Sequence, residues 1–289
     1  FGIRWRAAVR RVQAAVMTYW LMSISGFLVA LAIAHIVSAR RWRARIEAAR
    51  KRLAGTPPGA PVSEGELPAP VAEFARRAIA GVHVAPRAVT LTQRAEMRLS
   101  PAGRWFPVAA SQTISIAEPG FLWLARARLL GVLPMEVIDA FVGGEGWLEV
   151  RLFGSLPIAR AHGNDLDRGE LMRYLAELVW APHAMLHNAA LGWKPLGGGW
   201  VQVAAPSRQG PAPVRLLFDE AGDISRIAAD DRPRTAGRAV IPTPWRGRFS
   251  GYRDIGGLRV PAHGEVSWML PEGEFTYWRG EITALKGEY

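Results

Sequence analysis

Residues 14–37, AAVMTYWLMSISGFLVALAIAHIV, contain no Asp, Glu, Lys or Arg over 24 positions. A helix rises about 1.5 Å per residue and a bilayer's hydrocarbon core is about 30 Å thick, so roughly 20 apolar residues suffice to span it. The segment therefore predicts a transmembrane helix, with the lipid bilayer as the partner of residues 14–37. The competing reading is a helix buried in a globular core. The bracketing charges argue against that: Arg4, Arg6, Arg10 and Arg11 precede the segment, and Arg40, Arg41, Arg43 and Arg45 follow it. Such residues suit the headgroup layer, as do Tyr19 and Trp20 nearer the interface. His35 reads as a boundary residue.

The formal net charge of +11 raises nucleic acid as a partner, but its location excludes it. Residues 1–52 hold ten Arg and one Lys against Glu47 alone, which leaves the remaining 237 residues at about +1. The charge belongs to the membrane flank and complements anionic headgroups. No cysteine is present, which removes disulfides, thiolate metal sites, cysteine nucleophiles and a lipidated cysteine. The sequence begins at Phe1, so a further segment could precede it. Seven basic residues follow the span closely and four precede it, and the positive-inside rule then puts the larger part of the chain in the cytoplasm.

Three parts follow: an anchor with basic flanks over 1–53, a Pro/Gly-rich linker over 54–66, and a soluble domain over 67–289. Residues 40–53 continue the helix into the headgroup region. Residues 67–80 form a short amphipathic helix with Val71, Phe74, Ala75, Ala78 and Ile79 on one face. From Val84 the apolar period becomes two, with Val89, Leu91, Gln93, Ala95 and Met97 on one face of a strand. Further strands are expected near 104–116, 121–129, 135–142, 146–153 and 156–161. After one helix over 167–180, opened by an Asp167–Glu170 capping box, more follow near 199–205, 213–219, 223–229, 247–255, 258–269 and 274–284. A loop with Pro233, Pro242 and Pro244 separates two of them. The class is α+β: an anchor helix, then about ten or eleven antiparallel strands. Strands twist, so a meander of that size curls into a half-barrel that wraps the helix.

The motifs LPAPVAEFAR (67–76), PGFLWLARARL (119–129), LDRGELMRYLAEL (166–178), PWRGRFSGYRDIGGLRVPAHGEVSW (244–268) and YWRGEITAL (277–285) resemble an uncharacterised bacterial family of unknown function. The likeness covers about residues 67–289. More distantly, the ending is similar to the curved half-barrels of the LolA and LolB lipoprotein carriers, through Tyr252, Gly257 and Pro261 before two long terminal strands. That resemblance implies an apolar concave face able to take an acyl chain. It also implies a place outside the cytoplasm, against the charge count. It supplies no catalytic residues.

Among individual side chains, Asn164, Asp165, Asp167 and Glu170 read as helix-opening residues before they read as a cation site. His183 and His187 are four apart but lack a third zinc ligand, and His83, His162 and His263 stand alone. Ser155, Ser250 and Ser267 lie in no GxSxG context, and Gly197–Gly199 precede no phosphate-binding helix. No cofactor or metal is expected. The stronger candidate is the helix face of Glu170, Arg173 and Glu177, spaced to interact and placed to meet Arg246 or Arg279 from the terminal strands. With Trp278 these form the candidate ligand-binding set. Three functions are open: non-enzymatic binding of a lipid or other apolar ligand, a structural or protein-interaction module at the membrane, or an enzyme acting on lipid or envelope substrates through the 162–177 segment.

Overall fold

A computed structural model of the chain describes residues 2–82, 84–237 and 239–289. His83 lies outside the described residues, as do the side chains of Arg4, Arg6, Arg10 and Arg11.

Helix α1 runs from Gly2 to Leu53 without a break. Its apolar stretch from Val16 to Val37 is long and apolar enough to cross a membrane, and its side chains are exposed. Below that stretch the helix changes role. Trp42, Ile46 and Leu53 are buried with Ala49 beside them, a stripe at i, i+4, i+7 and i+11 that is one helix face. The stripe packs on Leu122, Leu124, Ile138 and Ala140. Residues 40–53 thus continue the helix as expected, but their apolar face is against protein, not in the headgroup layer. The linker residues are also pinned to the fold: the Val62 N–H donates to the Leu186 carbonyl (2.7 Å) and Arg87 to that of Gly55 (3.0 Å).

Helix α2 (Ala69–Ala78) opens with Pro70 and buries Val71, Phe74, Ala75 and Ala78. Then comes one sheet of thirteen strands: β1 (Ala88–Met97), β2 (Phe106–Ser115), β3 (Phe121–Leu129), β4 (Leu133–Val142), β5 (Glu145–Leu152), β6 (Leu156–Ala161), β7 (Gly192–Gly197), β8 (Trp200–Ser207), β9 (Gly210–Phe218), β10 (Ile224–Ala236), β11 (Ala239–Ile255), β12 (Leu258–Leu270) and β13 (Gly273–Glu288). The order across the sheet is β6-β5-β4-β3-β2-β1-β13-β12-β11-β10-β9-β8-β7. Two meanders are therefore joined where β1 pairs antiparallel with β13, from Ala88 opposite Glu288 to Met97 opposite Trp278.

The connection from β6 to β7 runs from one edge of the sheet to the other. It contains α3 (Asn164–Ala176), a 3₁₀ turn (Glu177–Trp180) and α4 (Pro182–His187). Helix α3 lies against β4 and β5 of the first meander and β8, β9 and β10 of the second. A helix can touch both only if the sheet curls around it, so the expected α+β half-barrel wrapping a helix is observed. The Trp180 indole donates to the Pro261 carbonyl (3.0 Å) and lies against Gly264, where a Cβ would stand 3.0 Å from the ring.

Several expectations are corrected. The described residues form thirteen strands, not ten or eleven. β7, which is largely exposed, lacks the alternation that marks a half-buried strand. The proline loop is strand: beyond Ala229, β10 and β11 pair only with each other, with Pro233 opposite Pro242, as an arm past the rest of the sheet. Prolines are tolerated there because each faces a ladder with no further strand on its other side. The capping box does not form. Helix α3 begins at Asn164 behind Gly163, with no side-chain cap, and Asp167 instead accepts the Gly146 N–H (2.6 Å) at the start of β5.

The docking of α1 has a direct test. Trp42→Ala should cost about 3–5 kcal/mol, the usual range for removing a buried aromatic, and should raise hydrogen exchange in β3 and β4. Trp20→Ala, at an exposed position, should leave exchange in the sheet unchanged.

Candidate functional site

Between α3 and the concave face of the sheet lies a cavity of about 280 Å³. Its walls are aromatic and apolar: Met97, Trp123, Trp180, Trp245, Trp268, Tyr277 and Trp278. Its floor is charged. Glu170 and Arg173 of α3 and Glu177, the first residue of the 3₁₀ turn that follows it, line it together, as their spacing of three and four residues allows.

Arg173 is the hub. Its Nη1 donates to Asp139 Oδ2 (2.5 Å) and its Nε to Glu177 Oε1 (3.0 Å), and its guanidinium lies over Phe121 and Trp123 at 4.8 and 5.1 Å. Glu177 is held from its other side by Gln112, whose carbonyl oxygen accepts from Gln93 (3.1 Å). Gln93 in turn accepts the Trp123 indole N–H (2.8 Å). A relay of buried amides thus fixes the carboxylate that fixes the arginine. Arg232 makes the second centre. It donates to the Gly169 carbonyl (3.2 Å), the Tyr277 hydroxyl (3.4 Å) and Glu170 Oε1 (3.4 Å), and stacks over Trp245 at 4.5 Å.

Two oxygens on the floor are buried without a partner, Asp139 Oδ1 and Glu170 Oε2. Burial pushes the Glu170 carboxyl up, the neighbouring Asp139 carboxylate pushes it further, and Arg232 and Arg173 oppose both. The outcome is about 8. At neutral pH the proton therefore stays on Glu170, available to the Asp139 carboxylate. With Glu170 neutral, two guanidinium groups face two carboxylates and the floor carries no net charge.

The candidate set divides. Glu170, Arg173, Glu177 and Trp278 meet in the cavity. Arg246 and Arg279 do not meet the helix, because each follows a cavity-lining Trp on its strand and so lies on the opposite face. Arg246 binds the Ala229 carbonyl (2.6 Å) and Asp230 (3.0 Å), and Arg279 binds Glu96 (2.6 Å). Arg232 and Asp139 take the places expected for them. Asp139 was visible in the sequence as an acid between Val137 and Phe141 on the inward register of β4. Arg232 was hidden in the stretch read as a loop.

Of the remaining candidates, His162 and Asp165 are exposed and away from the cavity. His183 is buried with neither ring nitrogen bonded, and burial, with His187 beside it, lowers it to about 4. His187 bonds the Gly59 carbonyl through Nδ1 (2.8 Å). No group of three metal-ligating side chains occurs among the described residues.

The model of a family of unknown function (DUF6544) matches residues 62–280. The chain belongs to this family. The match takes in strands β1 to β12, the first half of β13, α3 and every cavity residue named above. Among solved structures, the chain is similar in outline to a LolA superfamily protein from Nitrosomonas europaea, at 7% identity and a TM-score of 0.42, over 76% of this chain and 94% of that one. It is also similar to a DUF1329 family protein from Desulfovibrio piger, at 11% identity and a TM-score of 0.41, over 75% of this chain and 91% of that one. A third is a domain from Vibrio parahaemolyticus named for outer membrane lipoprotein sorting, at 9% identity and a TM-score of 0.39, over 74% of this chain and 91% of that one. No curated protein sequence matches the chain.

The raised Glu170 sets a pH dependence. A carboxyl raised from 4.5 to about 8 contributes stability that is full below 4.5 and is lost as pH rises through 8. His183, lowered from 6.5 to about 4, works oppositely, and its contribution is present above 6.5 and lost on acidification. The two offset each other between 4.5 and 6.5, and only Glu170 acts from 6.5 to 8. Over that upper window stability should fall by about 1.4 kcal/mol per pH unit at most. Glu170→Gln should flatten the fall, as read by denaturant midpoints at a series of pH values.

Proposed function

We propose that this chain is a membrane-tethered, non-enzymatic binding protein. Residues 16–37 cross the bilayer once. The cavity between α3 and the sheet receives part of an amphiphile, its apolar portion against the aromatic walls and a hydrogen-bond-donating group on the floor. One observation carries the reading: an aromatic enclosure that ends on a buried cluster of acids and arginines whose charges cancel while Glu170 keeps its proton. A floor without net charge favours a neutral head over an anionic one. The volume of about 280 Å³ lies at the lower edge of small-ligand sites, so it suits one end of a lipid and not a whole one. Met97 is the last residue of β1, and Trp268 and Thr235 stand next to the ends of β12 and β10, so the cavity reaches the end of the sheet where the β1–β2 and β12–β13 turns lie.

A second reading has its own support. A carboxyl held near 8 beside a carboxylate in a cavity is the arrangement of a general acid–base pair. The two readings differ at Glu170. For a binding protein, Glu170→Gln keeps the neutral floor and retains the ligand. For an enzyme, the same change leaves binding intact and removes turnover.

Native mass spectrometry of the full chain released from lipid nanodiscs checks the first reading. The expected result is a reproducible added mass, extractable as lipid, retained in Glu170→Gln and lost in Trp268→Asp. A bare chain mass at every lipid composition tried, or a bound mass that converts to product only when Glu170 is intact, would count against it.

A further inference from the structure

Leu130 and Phe153 are the only non-glycine residues with positive φ among the described residues, at 52° and 53°. This is a conformation that L side chains adopt rarely and that Gly or Asn usually occupies. Each is the first of the two central residues of a β-turn, closed by the Val132 N–H on the Leu129 carbonyl (3.2 Å) or the Ser155 N–H on the Leu152 carbonyl (3.1 Å), and is followed by a positive-φ glycine, Gly131 or Gly154. The two tips are the β3–β4 turn and the β5–β6 turn. Asn-Gly or Asp-Gly is the ordinary choice for such tips. Here large apolar side chains occupy them and gain no compensating burial: Leu130 is 86% exposed and Phe153 51%. Val132, Leu156 and Ile158 beside them are exposed as well, and Leu99 projects from the adjacent β1–β2 turn.

The opposite end of the same strands is built differently. Its turns are Glu118-Pro119, Gly143-Gly144 and Gly256-Gly257, and they present no large apolar side chain.

Helix α1 shows which way the apolar end faces. Leu53 lies against Gly120, at the turn after β2, and Arg52 against Gly143, at the turn after β4. At the other end, the Ser38 hydroxyl donates to the Ser155 carbonyl (2.6 Å), and His35 Nδ1 shares a hydrogen bond with Ser155 Oγ (2.7 Å). The helix therefore descends along the strands from the apolar tips toward the polar turns. Its uncharged stretch, ending at Val37, projects beyond the tips. A cleft of about 1010 Å³ at this junction has Phe106, Met135 and Phe153 in its walls and Arg43, Arg126 and Arg128 against Glu136.

We infer that this end of the sheet is a second membrane contact, in which Leu130 and Phe153 insert into the headgroup–acyl boundary of the leaflet that α1 enters. The inference rests on α1 spanning the bilayer as proposed above. The occupant is a lipid surface, because the apolar tips are continuous with the uncharged helix and the excess of arginine around them complements anionic headgroups. The conformational cost at both tips is then offset by contacts outside the chain.

The absence of cysteine makes single-site labelling direct. Full-length Leu130→Cys, Phe153→Cys, Ala221→Cys in the distant β9–β10 turn, and Leu28→Cys within the span would each carry an environment-sensitive fluorophore. They would be reconstituted in vesicles of phosphatidylcholine with a minority of phosphatidylglycerol. Lipids spin-labelled near the headgroup should quench positions 130 and 153 several-fold more than position 221, and aqueous iodide should show the reverse order. If 130 and 153 behave like 221 while Leu28→Cys is shielded from iodide, the span stands and the second contact is overturned. If Leu28→Cys is open to iodide, the span fails; lipid quenching at 130 and 153 would then support the contact alone, and its absence would sink both.

Discussion

Strand β1 pairs with β13 over residues separated by about the length of the sheet domain, so that Ala88 faces Glu288 and Met97 faces Trp278. Without this ladder the chain would be two meanders with two concave faces and two more edges. With it there is one sheet of thirteen strands. Twist accumulates from strand to strand, so a sheet this wide curls. Curling makes an inside that must be filled, and the chain fills it with the connection between the two outer strands. That connection is the single place where α3 can touch β4 and β5 on one flank and β8 to β10 on the other. The cavity is what remains after Tyr174, Leu175, Leu178 and Trp180 have occupied the rest.

Burying arginine inside such a shell is costly unless each N–H finds an acceptor and the charge is matched. Arg173 donates to two carboxylates, Arg232 to a carbonyl, a hydroxyl and Glu170, and both gain aromatic faces as well. The acids are over-supplied: Asp139, Glu170 and Glu177 face two guanidinium groups. Glu170 is pushed upward because its side chain is the most deeply buried of the three and its arginine contact is long, at 3.4 Å. The floor is thus neutral by retention of a proton, which Glu170 holds toward Asp139.

Much of this architecture is legible in the sequence. The period-two alternation of β1 placed Gln93 inward among Leu91 and Ala95, and it is buried there, bonded to Gln112 and Trp123. The spacing of Glu170, Arg173 and Glu177 put all three on one helix face. What failed to show were relations between distant segments. Pro233 and Pro242 read as loop because local rules treat proline as a strand breaker, and only the pairing shows that both lie where no further strand is joined. The stripe Trp42, Ile46, Ala49 and Leu53 was present in the sequence, but the arginines between its members drew it toward the headgroup layer. Its partner face, Leu122, Leu124, Ile138 and Ala140, lies on the outer register of β3 and β4, where solvent was the default expectation.

That stripe has a larger consequence than the small core it builds. A helix joined to a domain by a flexible linker leaves the domain free to turn at the membrane surface. Here the helix that leaves the apolar stretch is already packed on the sheet, so helix and sheet have one orientation. Its polar contacts reinforce this. Buried Glu149 accepts from Arg151 (2.8 Å), Arg160 (3.1 Å) and Trp147 (3.3 Å) within the sheet and from Arg45 of the helix (3.4 Å). Burial alone would raise its carboxyl, and these donors more than offset that, leaving it below the usual range. Arg151 also lies over the Trp42 ring at 4.3 Å and reaches the Ser38 hydroxyl (3.2 Å). With the sheet held at a fixed angle to α1, the end that carries the Leu130 and Phe153 tips is also the end reached by Met97 and the cavity. If α1 spans the bilayer and the cavity takes an amphiphile, as proposed above, the cavity opens at the end of the sheet nearest the leaflet that α1 enters.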